Sequence, residues 1–494
     1  MTQPWSEPWV VDPPLSSLES LWAAAGPRSP MEFLALERRV LGAAGQQADA
    51  ILAYHLTQAH LDPTFVTRAI EAARTRHGAA LRHKGMRPTS VLLPGGMLCV
   101  VHTPYLRPPT PRRPGRKRRR RGPTGVGVYP VLEALGVGDR VSPASRGQLA
   151  LYTVQAGSYQ EAVVLLAERG LRLEPSTLLR VAQSTAQADI ALREAALAQA
   201  RQIPVAQAGP LAGLRVRVSL DGGRVRTRQA HPGRKTQKGR HRFETPWREP
   251  RVLVIDVLDR EGQADPLRLP LYDVLLEDAQ AAVVEFIADG AEWIWEHSAQ
   301  IRQEAEIPCQ RWVEVIDFYH AAEHLHATVE LCRNVSAAQR QERYEQLRHT
   351  LRRAPDGVER VIACLQAEVR GRRAKKMSQA IGYFEKHAGR MAYAALDQQQ
   401  LPVGSGPVES AVRRVINLRF KAPSTFWEAD TVADLMHLRA AFKSGRWGKL
   451  MERVLTRTFA PPSFARLTPA HIRAVLPLDV AKDSPPQEAV SRCA

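Results

Sequence analysis

Leu214-Arg215-Val216-Arg217-Val218-Ser219-Leu220-Asp221-Gly222-Gly223 is the stretch that decides the fold. Its apolar residues alternate with Arg and Ser, the period of a half-buried strand, whereas residues 125–205 before it read as helix. Gly222-Gly223 predicts a tight turn, with Arg224–Arg228 as a second strand across it. A basic loop spans Gln229–Pro250, and Arg251–Leu258 reads as a third strand. Val283–Ala288 is a fourth, ending in Asp289-Gly290, with a helix from about Ala291. Trp312–Ile316 is a fifth, ending in Asp317-Phe318-Tyr319-His320, again followed by a helix. Three meandering strands and then alternating strand and helix predict a mixed α/β sheet.

Downstream, residues 322–400 are almost purely helical, with helix starts at Ser336 and Asp356. Gly404-Ser405-Gly406-Pro407 closes a loop, and a helix beginning at Pro407 carries Glu409, Arg413, Arg414 and Asn417. Upstream, Ser29-Pro30-Met31-Glu32 has the cap, the proline and the acid of a helix start. Helical patterning runs from there to about Arg82. Val91–Leu93 and Met97–Val101 then flank Gly95-Gly96 as a hairpin. Ser158–Gln183 reads as helix, a break at Gly170 and a second helix near Pro175, a pattern shared by helix-turn-helix motifs and by helical hairpins that touch no DNA.

The 494 residues contain 69 Lys+Arg against 50 Asp+Glu, a formal net charge of +19. That balance points away from an ordinary metabolic enzyme and toward a polyanionic partner. The excess is local. Arg107–Arg121 holds nine basic residues, among them Arg112, Arg113, Arg116, Lys117, Arg118, Arg119, Arg120 and Arg121, and no acid. Interleaved prolines make it a solvated tether, a phosphate-tracking arm, or both. Asp221–Arg251 holds ten more, including Arg224, Arg226, Arg234, Lys235, Lys238 and Arg240. Five scattered cysteines form no CxxC pair, so a disulfide framework, a zinc finger and an iron–sulfur site are not expected. No apolar run reaches the ~20 residues that span a bilayer, and the N-terminal residues do not pattern as a signal peptide. A cytoplasmic protein is expected.

Three acids stand where folds place chemistry. Asp221 and Asp289 each follow a strand's last apolar residue, and Glu409 lies in the first turn of a helix behind a Gly-rich loop. Singly, each has a plainer reading: a turn residue, a helix cap, an acid favoured at a helix N-terminus. Together, carboxylates at strand ends supply hard oxygen ligands for two Mg²⁺ or Mn²⁺ ions of the kind that cleave phosphodiesters. His320 and His324 share a helix face without a third ligand, so zinc is not expected; His320 reads as a partner of Asp317 or of a phosphate. Among the tryptophans, Trp247 and Trp293 read as core, and Trp427 is the one kept open for DNA.

The order strand-Asp, strand-Asp, helix-Glu resembles the ribonuclease H-like DDE transposases. Five local strings resemble the ISKra4 family of bacterial insertion-sequence transposases: Ser219–Val225, Thr245–Pro250, Asp289–Trp295, Asp317–Leu325 and Gly404–Ser410. Gly127–Pro130, Ser142-Pro143 and Ser158-Tyr159 add to the likeness, which covers roughly residues 85–450. The resemblance implies Asp221, Asp289 and Glu409 as the catalytic and metal-holding acids, with Asp317 and His320 as an accessory D-x-x-H pair. Asp317 in place of Asp289 is the alternative, since both follow strands. Some relatives carry N-terminal Cys pairs suggestive of zinc; this chain has none.

The resemblance implies a ribonuclease H-like mixed-sheet core with an all-α insertion, preceded by mainly helical regions. The chain then divides into a helical region with a hairpin (1–106), a basic linker (107–124) and a helix-turn-helix-like region (125–205). The first part of the core (206–321), the insertion (322–401), the catalytic helix with the end of the core (402–456) and a Pro-rich tail (457–494) follow. The implied activity is cleavage and joining of double-stranded DNA at element ends and target, by an oligomer assembled on that DNA. Arg413 and Arg414 join the basic residues above as DNA contacts. A transposase-derived repressor or architectural protein without catalysis, and a ribonuclease H-like nuclease without joining, are the alternatives.

Overall fold

The computed structural model describes residues 26–108, 127–200, 211, 213–230, 237, 239, 242–265, 271–272, 283–305, 307–332, 335–422 and 425–459. The linker positions Arg112, Arg113, Arg116, Lys117, Arg118, Arg119, Arg120 and Arg121 and the loop positions Arg234, Lys235, Lys238 and Arg240 lie outside them. Two compact units divide the described chain. One comprises residues up to 194 with 430–442 and 446–459; the other comprises the residues from 195 to 429 with 443–445. The residues of 430–456, read above as the end of the core, thus mostly join the first unit.

In the first unit, the helix Pro30–Leu61 starts where its sequence signals it: the Ser29 side chain accepts the Glu32 N–H at 3.2 Å. A second helix, Pro63–His77, is capped by Asp62. Helix was expected as far as Arg82, but a strand, β1 (Arg82–Leu92), already begins there and pairs antiparallel with β2 (Leu98–Arg107). The polar run His83-Lys84-Gly85 has no periodicity of its own; pairing with β2 decides its state. The hairpin turn is clamped by buried Asp49, whose two carboxylate oxygens accept the Gly95 and Met97 N–H groups, each at 2.9 Å. Gly96 takes a φ of +96° that favours glycine.

The helices Pro143–Gln155, Tyr159–Ala167 and Pro175–Ala200 pack around Leu149, Leu166, Leu171, Leu178 and Val181. The break between the last two lies at Gly170, with φ +83°. Fully buried Asp189 ties this bundle to the C-terminal helices: it accepts His437 Nε2 at 2.8 Å and two Arg453 nitrogens at 2.8 and 2.7 Å.

The second unit is built on a mixed sheet. Its strands are β3 (Arg215–Gly222), β4 (Val225–Arg226), β5 (Gln229–Ala230), β6 (Phe243–Glu244), β7 (Trp247–Arg248), β8 (Arg251–Leu258), β9 (Leu271–Tyr272), β10 (Val283–Ala288) and β11 (Trp312–Ile316). The main sheet has the order β11-β10-β3-β8-β9. β3, β10 and β11 run parallel, whereas β8 is antiparallel to β3 and to β9. The expected meander is corrected in one respect. Arg224–Arg228 does not join the main sheet beside β3; within it β4 pairs with β7 in a separate two-stranded ribbon, and β8 takes the place next to β3. The physical reason is register: β8 matches the full length of β3, from Arg215↔Leu258 to Gly222↔Arg251, and so forms the longer ladder.

A second correction concerns β3 itself, which is buried on both faces rather than one. Val216, Val218 and Leu220 pack into the core with Val284, Phe286 and Val315, each such side chain contributing about 1.5–3 kcal/mol. Arg217 points the other way and is only 5% exposed. It is tolerated because Asp256, opposite on β8, accepts its Nε and Nη2 at 3.2 and 3.0 Å. The helices Phe318–Val329, Ala337–Arg353, Gly357–Gln366, Ala374–His387 and Tyr393–Gln398 extend the same core through Leu325, Leu351, Val361, Phe384 and Tyr393. Ser336 forms a full capping box with Gln339. Among the described residues no helix is long and apolar enough to cross a membrane.

Candidate active site at the strand ends

The pairing registers put three aspartates in one row. In the parallel β3–β10 pair Ile287 lies opposite Ser219, so two residues on, Asp289 stands level with Asp221. In the β10–β11 pair Ala288 lies opposite Ile316, and Asp317 donates its N–H to the Ala288 carbonyl at 2.8 Å, so Asp317 stands level with Asp289. Adjacent strands are about 4.8 Å apart. Parallel direction is what gathers the acids: each strand ends at the same edge of the sheet, where side chains at matching positions share one side.

The three are used differently. Asp221 is half-buried, and its Oδ1 accepts only the next N–H, that of Gly222, at 2.6 Å. Burial pushes its carboxyl up to about 6, and the negative charges of Asp289, Glu409 and Glu249 push the same way, against the Gly222 N–H. Asp221 therefore lies within electrostatic reach of the other three carboxylates. Asp289 Oδ1 accepts Ala291 N–H at 2.9 Å in the turn that opens the helix Glu292–Glu304, and its carbonyl accepts Trp295 Nε1 at 3.0 Å. Asp317 is 2% exposed and accepts three N–H groups. Its Oδ1 caps the helix Phe318–Val329, accepting Tyr319 and His320 N–H at 2.7 and 3.0 Å, and its Oδ2 accepts the Ser405 N–H.

That last bond fixes the loop that precedes Glu409. Phe318 N–H also donates to the Val403 carbonyl at 2.8 Å, so β11 and the loop are joined twice. Glu409 is exposed in the first turn of the helix Gly406–Ala411, which lies against β3 and β8. The helix continues as a π-helix, Val412–Asn417, a rare winding common at functional sites. Arg413 on it is exposed and Arg414 half-buried. The two glycines after Asp221 leave space for this packing: a side chain at 222 would strike Glu249, and one at 223 would strike Ile416.

Of the two partners expected for His320, Asp317 or a phosphate, the first is not reached by its side chain. Only its backbone reaches Asp317; its ring Nδ1 lies 3.7 Å from Glu323 and its ring meets His324 edge-on at 5.2 Å. Asp317 meets N–H groups of Tyr319, His320 and Ser405, while the His320 ring turns toward Glu323 and His324. Sequence reasoning missed Glu249 and Tyr383 in this neighbourhood and read His324 only as half of an incomplete zinc pair. Glu249 lies within Thr245–Pro250 but carries no spacing signal. Tyr383, from the helix Ala374–His387, packs its ring where a Cβ on Gly290 would be. Burial raises its phenol, with Asp289 and Asp317 adding to the effect. His324 stacks on it at 3.9 Å and 11°, and burial lowers that imidazole.

The tryptophans also part from expectation. Trp427 is 5% exposed, packed on Phe420 with its Nε1 donating to the Phe420 carbonyl at 3.3 Å. Trp247 is 57% exposed. Arg224, Arg226 and Arg228 alternate with buried Val225 and Thr227 and share one solvent face.

Among the described residues no three His, Cys, Asp or Glu side chains are placed tightly enough to enclose a metal ion. The donor chemistry is nonetheless that of a hard cation. Asp221, Asp289 and Glu409 are carboxylates, and Asp221 is held back from ionising by burial and by its neighbours, a cost that a divalent cation relieves. No protein-family model matches the chain, and no curated protein matches it.

Proposed function

We propose that the chain is a metal-dependent DNA transposase of the DDE kind, as its likeness to the ISKra4 family implies. The observation that carries this reading is the level placement of Asp221 and Asp289 on adjacent parallel strands, with Glu409 on a helix against the first of them. The strand order supports a ribonuclease H-like core. Taken in chain order as first to fifth, β3, β8, β9, β10 and β11 lie side by side as 3-2-1-4-5, with only the first, fourth and fifth parallel. The helical residues 318–398 lie between the second and third acids, as an insertion would.

On this reading Asp221, Asp289 and Glu409 would hold two Mg²⁺ or Mn²⁺ ions, which would supply activation of water and stabilisation of the leaving oxygen of the phosphodiester. Asp317 sets the loop ahead of Glu409 rather than holding metal. Arg224, Arg226 and Arg413, all exposed, neutralise phosphates of double-stranded DNA. Cleavage frees a 3′-OH that attacks target DNA, so the partners are element ends, target and further copies of the chain, in the cytoplasm.

The test is an assay of the full chain on labelled DNA carrying the ends of the element that encodes it. Nicking and joining in Mg²⁺, abolished by Asp221→Asn, Asp289→Asn or Glu409→Gln with DNA binding retained, support the reading. Specific binding with no cleavage by the unaltered chain points to the repressor reading, and nicking without joining to the nuclease.

A further inference from the structure

We infer that Phe243 and Trp247 form a stacking platform for unpaired bases of a DNA strand beside the acidic site, an inference that rests on the DNA-processing reading above. β4 and β7 are antiparallel with Arg226 directly opposite Trp247. The Arg226 guanidinium lies over the Trp247 ring at 5.1 Å and also over Phe426 at 5.8 Å. Next to it Arg228 lies over Phe243 at 5.7 Å, and Phe243 meets Phe426 edge-on at 5.7 Å. Phe243 is 45% exposed and Trp247 57%, so each large ring keeps much of its surface in water.

Exposing two large aromatic rings is costly unless something covers them. The surroundings say what. Arg228 is paired with Glu428 at 2.9 Å, but exposed Arg226 and Arg248 on β4 and β7 keep the patch cationic, which suits a phosphate backbone and disfavours a basic or purely apolar partner. Aromatic rings interleaved with arginine are how proteins hold single strands: the cations follow the phosphates and the rings take the base faces, which a paired duplex keeps inside its stack. The position fits the site. β4 begins four residues after Asp221, and Glu249, two residues past Trp247, packs over Gly222. On this proposal a strand lying on the platform is held next to the segment that carries Asp221 and Glu249. The platform holds bases unpaired next to the cleaved bond.

The experiment uses the full chain at one fixed salt concentration. Its probes are oligothymidine, a blunt duplex, and an oligonucleotide carrying one 2-aminopurine, whose fluorescence falls on stacking. The expected result for Phe243→Ala with Trp247→Ala is a loss of about tenfold or more in oligothymidine affinity. Blunt-duplex affinity should stay within about twofold, and the 2-aminopurine quench should disappear. Phe243→Tyr with Trp247→Phe keeps both rings and should keep the quench. Equal loss of single-strand and duplex binding in the alanine variant makes the patch a general electrostatic surface and overturns the inference. So does unchanged oligothymidine affinity. Quenching that depends on both rings, in a chain that never cleaves DNA, upholds the platform while the transposase reading falls.

Discussion

The carboxylate of Asp317 accepts the backbone N–H of Ser405, tying the end of β11 to the loop that leads to Glu409. One buried acid thus sets the relative position of two parts of the site that are distant in sequence. The bond supports the proposed division of roles between Asp317 and Asp289, since the Asp317 oxygens already accept three N–H groups.

Asp289 and Asp317 should therefore fail differently when changed. Asp289→Ala should eliminate strand cleavage and cost little stability. Asp317→Ala should weaken cleavage but leave detectable product, and should lower stability by about 2–4 kcal/mol, since it strips one buried and two partly buried N–H groups of a charged acceptor. Urea unfolding beside a labelled-end cleavage assay separates the two. Normal cleavage by Asp289→Ala with a dead Asp317→Ala would reverse the assignment.

Asp221 should couple proton and metal. Its carboxyl is raised to about 6 in the folded chain from an ordinary value of 3.8. The metal-free protein holds the extra proton folded, so this group's contribution to stability falls as pH rises from about 4 to about 6. Mn²⁺ binding should strengthen over the same span, because cation and proton compete. Glu249→Gln removes one of the neighbouring charges and should move the midpoint of that dependence down. Calorimetric Mn²⁺ titrations at several pH values would measure it; an unmoved midpoint would mean Glu249 has no influence on Asp221.

Gly290→Ala should be destabilising, by about 1–3 kcal/mol, because its Cβ enters the space of the Tyr383 ring beside Asp289. Pairing it with Tyr383→Ala should recover part of that loss. A double-mutant cycle on unfolding free energies reads the coupling, and strict additivity would show the two do not share that space.

Glu285 predicts a second pH dependence, away from the candidate site. It is fully buried on β10, opposite Arg217, with neither carboxylate oxygen hydrogen-bonded in the structure. Burial pushes its carboxyl up to about 8, with Arg217 and Arg215 opposing. Folded, it keeps its proton to higher pH than unfolded, so its contribution falls as pH rises from about 4.5 to about 8. Glu285→Gln should abolish that slope and stabilise the chain at pH 8 and above, by on the order of a few kcal/mol. Parallel pH–stability curves for the two proteins check it.

Much of this architecture was legible in the chain itself. β8, β10 and β11 begin and end where apolar runs meet turn residues, and the helices after Ser29, Ser336 and Asp356 begin at their caps. Periodicity and capping act over a few neighbouring residues, so a linear reading can see them. The candidate acids were visible for the same reason: Asp221 stands at the end of a strand, Asp289 directly follows one, and Glu409 opens a helix.

What only the tertiary structure decided are relationships between residues far apart in the chain. Arg224–Arg228 has the alternation of a sheet strand, yet β4 pairs with β7 because β8 offers β3 the longer ladder. Arg217 looks like a solvent-facing residue and is buried, because Asp256 stands across from it. Trp247 reads as core and Trp427 as the one open to DNA, yet folding covers the second and leaves the first in water. Tyr383 reaches Gly290, and Asp317 reaches Ser405, from segments with no shared local pattern. Local spacing determines which backbone state a segment prefers; which side chain meets which is set by how the segments pack, and that depends on the whole chain at once.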